Sequence, residues 1–121
     1  MTDIGAPEPL TPAVFHILLA LANDEKHGYE IMKAVRQDSG GAVKMGNGTL
    51  YGSLKRMLAD GLIADAGERA GSDDTRRKYY RLTDAGREAM YAEIRRYRDT
   101  LESVRRYALL PGGPPAEKAT P

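Results

Sequence analysis

Few side chains in this chain are equipped for covalent or acid–base chemistry. Of its 121 residues none is Cys and only two are His, His16 and His27, on separate segments. That removes cysteine nucleophiles, thiolate zinc sites and disulfide scaffolds, and it fits a reducing cytoplasm. His27 stands three residues from Glu30, one helical turn, a spacing too common to mark a nucleophile–base pair. No glycine-rich phosphate loop follows a strand, so neither an enzyme nor a cofactor is expected. What remains is recognition chemistry: hydroxyls, amides and cations placed to donate hydrogen bonds.

These donors concentrate in Met45–Asp60, MGNGTLYGSLKRMLAD. Leu50, Leu54, Met57 and Leu58 fall at i, i+4, i+7 and i+8, one apolar stripe of a helix. At about 100° per residue, Thr49, Gly52, Lys55, Arg56 and Ala59 lie opposite, with Tyr51 at the border. That outer face is small, hydroxylic and cationic, with no acid before Asp60. A surface of this kind suits entry into a DNA major groove, although an amphipathic core helix with a solvated back has the same pattern. Gly46, Asn47 and Gly48 make a turn and cap, leaving N-terminal N–H groups available to a phosphate.

Charge is distributed to match. The net charge is only +1, yet residues 1–43 carry three Lys/Arg against six Asp/Glu, and residues 44–81 carry eight against five. The positive charge surrounds the donor helix and the segment after it.

The elements that must hold that helix can be taken in order. Residues 1–10, with Gly5, Pro7 and Pro9, read as a flexible arm. Thr11-Pro12 starts a helix running to about Ala22, Thr as N-cap and Pro at the first position. Val14, Phe15, Ile17, Leu18 and Leu21 make it central, and His16 is expected at its boundary. The apolar run Val14–Ala22 is too short to cross a membrane and follows no basic n-region. Asn23–Lys26 reads as a polar loop. His27–Glu30 opens a second helix to about Ser39 with Ile31, Met32 and Val35 inward, and Gly40-Gly41 ends it. A second helix, a tight connection and a third helix with a polar outer face is helix-turn-helix order.

Gly61 ends the third helix. Leu62–Ala64 reads as a strand, Gly67–Thr75 as a polar turn and Arg76–Leu82 (RRKYYRL) as a returning strand. Lys78, Tyr80 and Leu82 share one face of it, so Tyr80 is expected packed and Arg77 exposed. The pair is a hairpin wing with Arg76 and Arg77 near its tip. Two adjacent arginines there suit phosphate or minor-groove contact; a solubilising loop tip offset by Asp73-Asp74 is the alternative.

Thr83 caps a last helix whose pattern is different. Met90, Ile94, Tyr97, Leu101, Val104 and Ala108 are spaced 4, 3, 4, 3, 4, a heptad seam flanked by charge. At roughly 36–40 Å the helix is longer than a small domain needs, and the seam predicts dimerisation. Pro111–Pro121 lacks anything to pack and is expected to be disordered.

Three stretches, His27–Val35 (HGYEIMKAV), Gly48–Ile63 (GTLYGSLKRMLADGLI) and Lys78–Arg87 (KYYRLTDAGR), resemble PadR-family transcriptional regulators, and the likeness covers about Leu10–Arg106. The family pattern has Pro where this chain has Asn47, which leaves the helix entry less rigid. The short C-terminus resembles the family's compact subgroup. The resemblance implies a winged-helix homodimer on inverted-repeat operators, usually a repressor, released in several relatives by small aromatic or drug-like effectors near the dimer interface. One subgroup uses an interfacial Trp; this chain has none. The match places Thr49 and Tyr51 at the DNA, Lys55 near the backbone and Tyr29 close to a phosphate. For Tyr51, packing at the helix border is the other reading.

The resulting expectation is a mainly α fold with a small β-hairpin: an arm over 1–10, a winged helix-turn-helix over 11–82, a dimerisation helix over 83–110 and a disordered tail over 111–121. The DNA-contact set is Tyr29, Lys44, Asn47, Gly48, Thr49, Tyr51, Gly52, Lys55, Arg56, Arg76, Arg77 and Lys78. The dimer set is Met90, Ile94, Tyr97, Leu101, Val104 and Ala108. The partners expected are double-stranded DNA, a second copy of the chain and a small effector, with no membrane. The competing reading is a winged-helix module used only for protein contacts.

Overall fold

The Thr11 hydroxyl accepts from the Val14 N–H, and Pro12 supplies the first residue of α1 (Pro12–Ala20). In the computed structural model, residues 8–71, 75–107 and 109 are described; the expected tail, Ala108, Asp73-Asp74 and most of the expected arm lie outside them. Helix α1 ends two residues before the expected Ala22. Lys26–His27 then form β1, where the sequence reads a loop and a helix start. Two residues carry no periodicity, and their strand character comes from pairing antiparallel with β3, Lys26 opposite Tyr80 and His27 opposite Tyr79.

Helix α2 (Gly28–Asp38) is capped by His27: its Nδ1 accepts from the Glu30 N–H, and Glu30 Oε1 accepts from the His27 N–H. The His27/Glu30 spacing thus works as a capping box. Gly40 (φ 63°) and Gly41 (φ 85°) close the helix, their N–H groups donating to Gln37 O and Arg36 O. Only glycine adopts this left-handed backbone without strain. Helix α3 (Asn47–Ala59) runs between the caps Gly46 and Asp60.

Strand β2 (Ile63–Ala70) pairs with β3 (Arg76–Leu82), and β3 lies between β1 and β2 in one sheet. The strand is longer than the Leu62–Ala64 expected because β3 pairs along it as far as Ala70. The register slips between Asp65 and Glu68, a bulge in which Asp65 Oδ1 accepts from the Gly67 N–H at 2.8 Å. Helix α4 (Asp84–Arg106) is capped by Thr83, whose hydroxyl accepts from the Gly86 N–H and donates to Gly61 O.

Phe15, Ile17, Leu18, Leu21, Ile31, Val35, Met45, Leu50, Leu54, Met57, Ile63, Tyr80 and Met90 form the core among all four helices and the sheet. Met90 is 3% exposed, so the first residue of the expected dimer seam belongs to the chain's own core and is not available to a partner. Glu93, read from sequence as part of the charged outer face, is 5% exposed; its Oε1 accepts from the Leu10 N–H and faces Arg96 Nε at 3.6 Å. That bond, with partial packing of the Leu10 side chain on the core, ties down the last residue of the expected arm.

Candidate nucleic-acid interface

Helix α3 turns Leu50, Ser53, Leu54 and Met57 into the core, and this decides what faces outward. Asn47, Gly48, Thr49, Tyr51, Gly52, Lys55, Arg56 and Ala59 are all exposed. A Cβ built on Gly48 or Gly52 meets nothing within 4 Å, so the ridge is open along its length. Gly46 caps the helix through its backbone geometry alone, without a side-chain hydrogen bond, and the first turn holds no acid. Its N–H groups and the positive end of the helix dipole therefore point at whatever approaches the tip.

Tyr51 has two functions in this geometry. It is half-exposed, and its ring tip lies on the first turn of α2: a Cβ on Gly28 would stand 2.3 Å from Tyr51 Oη. The missing side chain at Gly28 lets α2 and α3 approach here. The hydroxyl end of Tyr51 packs on Gly28, and the residue also lines a cleft of about 170 Å³ together with His27, Gly28, Tyr29, Arg76, Arg77 and Lys78. Three cations, two tyrosines and the α2 N-terminus converge on this cleft, and no acid lines it among the described residues.

The wing cations are not bare. Arg76 Nε lies 3.3 Å from Glu68 Oε1, and Lys78 Nζ lies 3.3 Å from Asp65 Oδ2. Both pairs are solvent-exposed, where an ion pair is worth about 0–1 kcal/mol and exchanges readily for another anion. The Lys78 ammonium and the Gly67 N–H hold the Asp65 carboxyl below its ordinary pKa, the backbone bond being the larger cause. Arg77, expected exposed, is half-buried, because β3 turns it and Tyr79 toward the cleft beside α2, and Lys78, Tyr80 and Leu82 toward the other face. Tyr80 is packed as expected, at 4% exposure.

A second cationic cleft, of about 150 Å³, lies on the other side of Tyr29, lined by Tyr29, Met32, Lys33, Arg36, Lys44 and Met45. It holds three cations and again no acid among the described residues. Lys33 Nζ stands 5.6 Å from the centre of the Tyr29 ring. Lys33 and Arg36 are absent from the set read off the sequence. Their signal is present, since Tyr29, Lys33 and Arg36 fall at i, i+4 and i+7, one stripe of α2. Attention to the apolar side of that helix hides it. Two basic clefts thus share Tyr29, and one of them meets α3 at Tyr51.

Helix, connection, donor-bearing helix and hairpin in this order make a winged helix-turn-helix. A model of the transcriptional regulator PadR-like family matches residues 17–92. The chain belongs to that family. Beyond it, the PadR-like chain is 34% identical over 89 residues to the transcriptional regulator Rv3488 of Mycobacterium tuberculosis, covering 74% of this chain and 78% of that protein. It is 39% identical over 77 residues to an uncharacterized 37.1 kDa protein in transposon TN4556 of Streptomyces fradiae, and spans only 20% of that protein's length. A PadR family transcription regulator from Clostridium difficile R20291 has the same fold, with TM-score 0.69 and 28% identity over 81% of this chain and 99% of that one. Bacillus subtilis PadR, whose crystal structure is in complex with operator DNA, also shares the fold, with TM-score 0.57 and 24% identity over 64% of this chain and 44% of that one. No helix among the described residues is long and apolar enough to cross a membrane.

Proposed function

We propose that this PadR-family chain is a sequence-specific DNA-binding regulator that reads the major groove with α3 and grips the flanking phosphates with the two clefts around Tyr29. The observation that carries the reading is the outer face of α3, exposed from Asn47 to Ala59, open at Gly48 and Gly52, cationic at Lys55 and Arg56 and free of acid. Thr49 in the first turn offers a methyl and a hydroxyl to base edges, where recognition helices meet them. Tyr29, Tyr51, Lys44, Arg76, Arg77 and Lys78 take the backbone. The DNA-bound state of Bacillus subtilis PadR supports the same use of this fold.

The reading includes a homodimer. On α4, Ile94 (37% exposed), Tyr97 (45%) and Leu101 (38%) continue the heptad seam beyond the core, with Val104 half-buried. A twofold pair of α3 helices would read an inverted repeat with half-sites about one helical turn apart. The family resemblance adds repression, relieved by a small aromatic or drug-like effector near the α4 pair. Tyr97, edge-on to Phe15 at 5.1 Å, offers an aromatic surface there.

Selection of bound sequences from a random duplex library, followed by a salt titration of the enriched duplex, tests the reading. The expected result is an inverted repeat whose affinity falls linearly in log–log with salt. No enrichment and no salt-dependent binding would overturn it in favour of a module for protein contacts.

A further inference from the structure

Among the described residues, the outer half of β2 has no buried apolar side chain. Gly67, Glu68, Arg69 and Ala70 are all exposed, and the bulge at Asp65/Glu68 interrupts the ladder that could transmit direction from the body of the domain. A two-stranded ribbon beyond a bulge does not hold its own angle. Arg69 links it to the body. The Arg69 guanidinium lies 4.1 Å from the centre of the Tyr79 ring and forms an ion pair with Glu25, which stands just before β1. Arg69 Nη2 also reaches Ala66 O at 3.4 Å, across the bulge. Tyr79 in turn packs edge-on against His27 at 5.3 Å and 86°, and His27 caps α2.

We propose that Glu25, Arg69 and Tyr79 form a brace that fixes the angle of the wing against α2, making Arg69 a positioning residue for the phosphate contacts of Arg76 and Arg77. Arg69 lies opposite Arg77 in the β2–β3 register, so its position sets that of the strand carrying both arginines. The planar guanidinium stacks on the ring while its edge meets the carboxylate, an arrangement an ammonium cannot reproduce. The inference rests on the DNA-binding reading for its consequence but not for its existence, because the brace is a property of the free protein.

The discriminating variant is Glu25→Gln. It makes the protein more positive, so charge alone predicts tighter DNA binding. Loss of the brace predicts the opposite: affinity for the selected duplex falls about two- to fivefold, the worth of an exposed ion pair. The fall disappears when Glu25→Gln is combined with Arg76→Ala/Arg77→Ala, since the contacts it positions are then gone. Arg69→Lys should behave like Arg69→Ala rather than like wild type. Hydrogen exchange of amides 68–70 and 76–78 in the free protein supplies the second readout, with faster exchange expected in Glu25→Gln at an unchanged melting temperature. Unchanged exchange, or tighter DNA binding by Glu25→Gln, would overturn the brace. A wild-type protein that binds no duplex would overturn the functional reading instead and leave the exchange measurement to judge the brace.

Discussion

Replacing Gly52 with Glu should move stability and binding in opposite directions. The residue sits mid-way along α3 on its outer face, and a Cβ there meets nothing within 4 Å. Glycine in a helix interior is less favourable than a good helix former by roughly 0.8–1 kcal/mol. A glutamate at 52 also stands i, i+3 and i, i+4 from Lys55 and Arg56, each pair adding about 0.2–0.5 kcal/mol. The variant should therefore be more stable by about 1 kcal/mol, raising Tm by a few degrees. For binding, the same side chain places bulk and negative charge on the ridge proposed to enter the groove and engages the two cations beside it. An affinity loss of at least 100-fold, about 3 kcal/mol, is expected. Gly52→Lys separates the causes: it keeps the bulk and reverses the charge, so it should lose specificity for the selected duplex while retaining salt-dependent binding. Calorimetric melting with fluorescence anisotropy on the same preparations decides the matter. A Gly52→Glu protein that melts higher yet binds within about twofold of wild type would refute the placement of α3 in the groove.

Four further outcomes follow from the same geometry. Gly86→Ala should cost roughly 1–3 kcal/mol in urea unfolding, because its Cβ would stand 2.0 Å from Leu62 O, a backbone atom that cannot yield; the corresponding clash at Gly28 is with the flexible tip of Tyr51 and should cost less in stability than in DNA affinity. Leu101→Asp should sediment as a folded monomer, since Leu101 lies outside the core and would be placed unpaired in the seam; a dimer at micromolar concentration would place the interface elsewhere. Arg76→Ala/Arg77→Ala should flatten the salt dependence of binding by about 1–2 units of slope. Asp65, whose pKa is lowered on folding chiefly by the Gly67 N–H and then by Lys78, contributes to the hairpin fully above pH ~4 and loses that contribution as pH falls through its lower folded value; amide protection factors in the hairpin should fall over that acid range in the wild type and not in Asp65→Asn.

Much of the fold is legible in the sequence because its signals are local. Thr11-Pro12, Gly40-Gly41, Gly61 and Thr83 each act within a turn of where they stand, and the Leu50/Leu54/Met57 stripe needs only helical geometry. The parts that escape are those fixed by distant partners. Lys26-His27 is a strand only because β3 lies beside it. Glu93 is buried with its carboxylate accepting from the Leu10 N–H, a contact separated by 83 residues. Arg77 is half-buried because its side of β3 lines a cleft with residues of α2 and of the neighbouring strand β1. Lys33 and Arg36 enter the candidate site through Lys44, which the α2–α3 connection folds back beside them. Within the candidate site the exposed face of α3 is legible in the sequence, whereas the clefts, built across elements, are not.

The last helix shows why a single period can be misassigned. Met90 obeys the same 3.5-residue spacing as Ile94, Tyr97 and Leu101, yet it fills the chain's own core while they remain more than a third exposed. Periodicity records that a face is apolar and not what covers it. The two halves of α4 differ in what holds them. Up to Glu93 the helix is fixed by Gly86 against Leu62, by Met90 in the core and by the Leu10–Glu93 bond. Beyond it, Tyr97 meets Phe15 of the domain edge-on, and the remainder carries charge around a half-exposed seam. A helical stretch of roughly 13 residues is marginal by itself in water. The outer half of α4 therefore gains most from a second helix laid along Ile94, Tyr97, Leu101 and Val104, and pairing two such helices would fix the separation of the two α3 ridges. Operator spacing and the stability of the outer half of α4 then depend on the same contact. Leu101→Asp should loosen that half of the helix and abolish the preference for an inverted repeat together, while each monomer keeps its ridge.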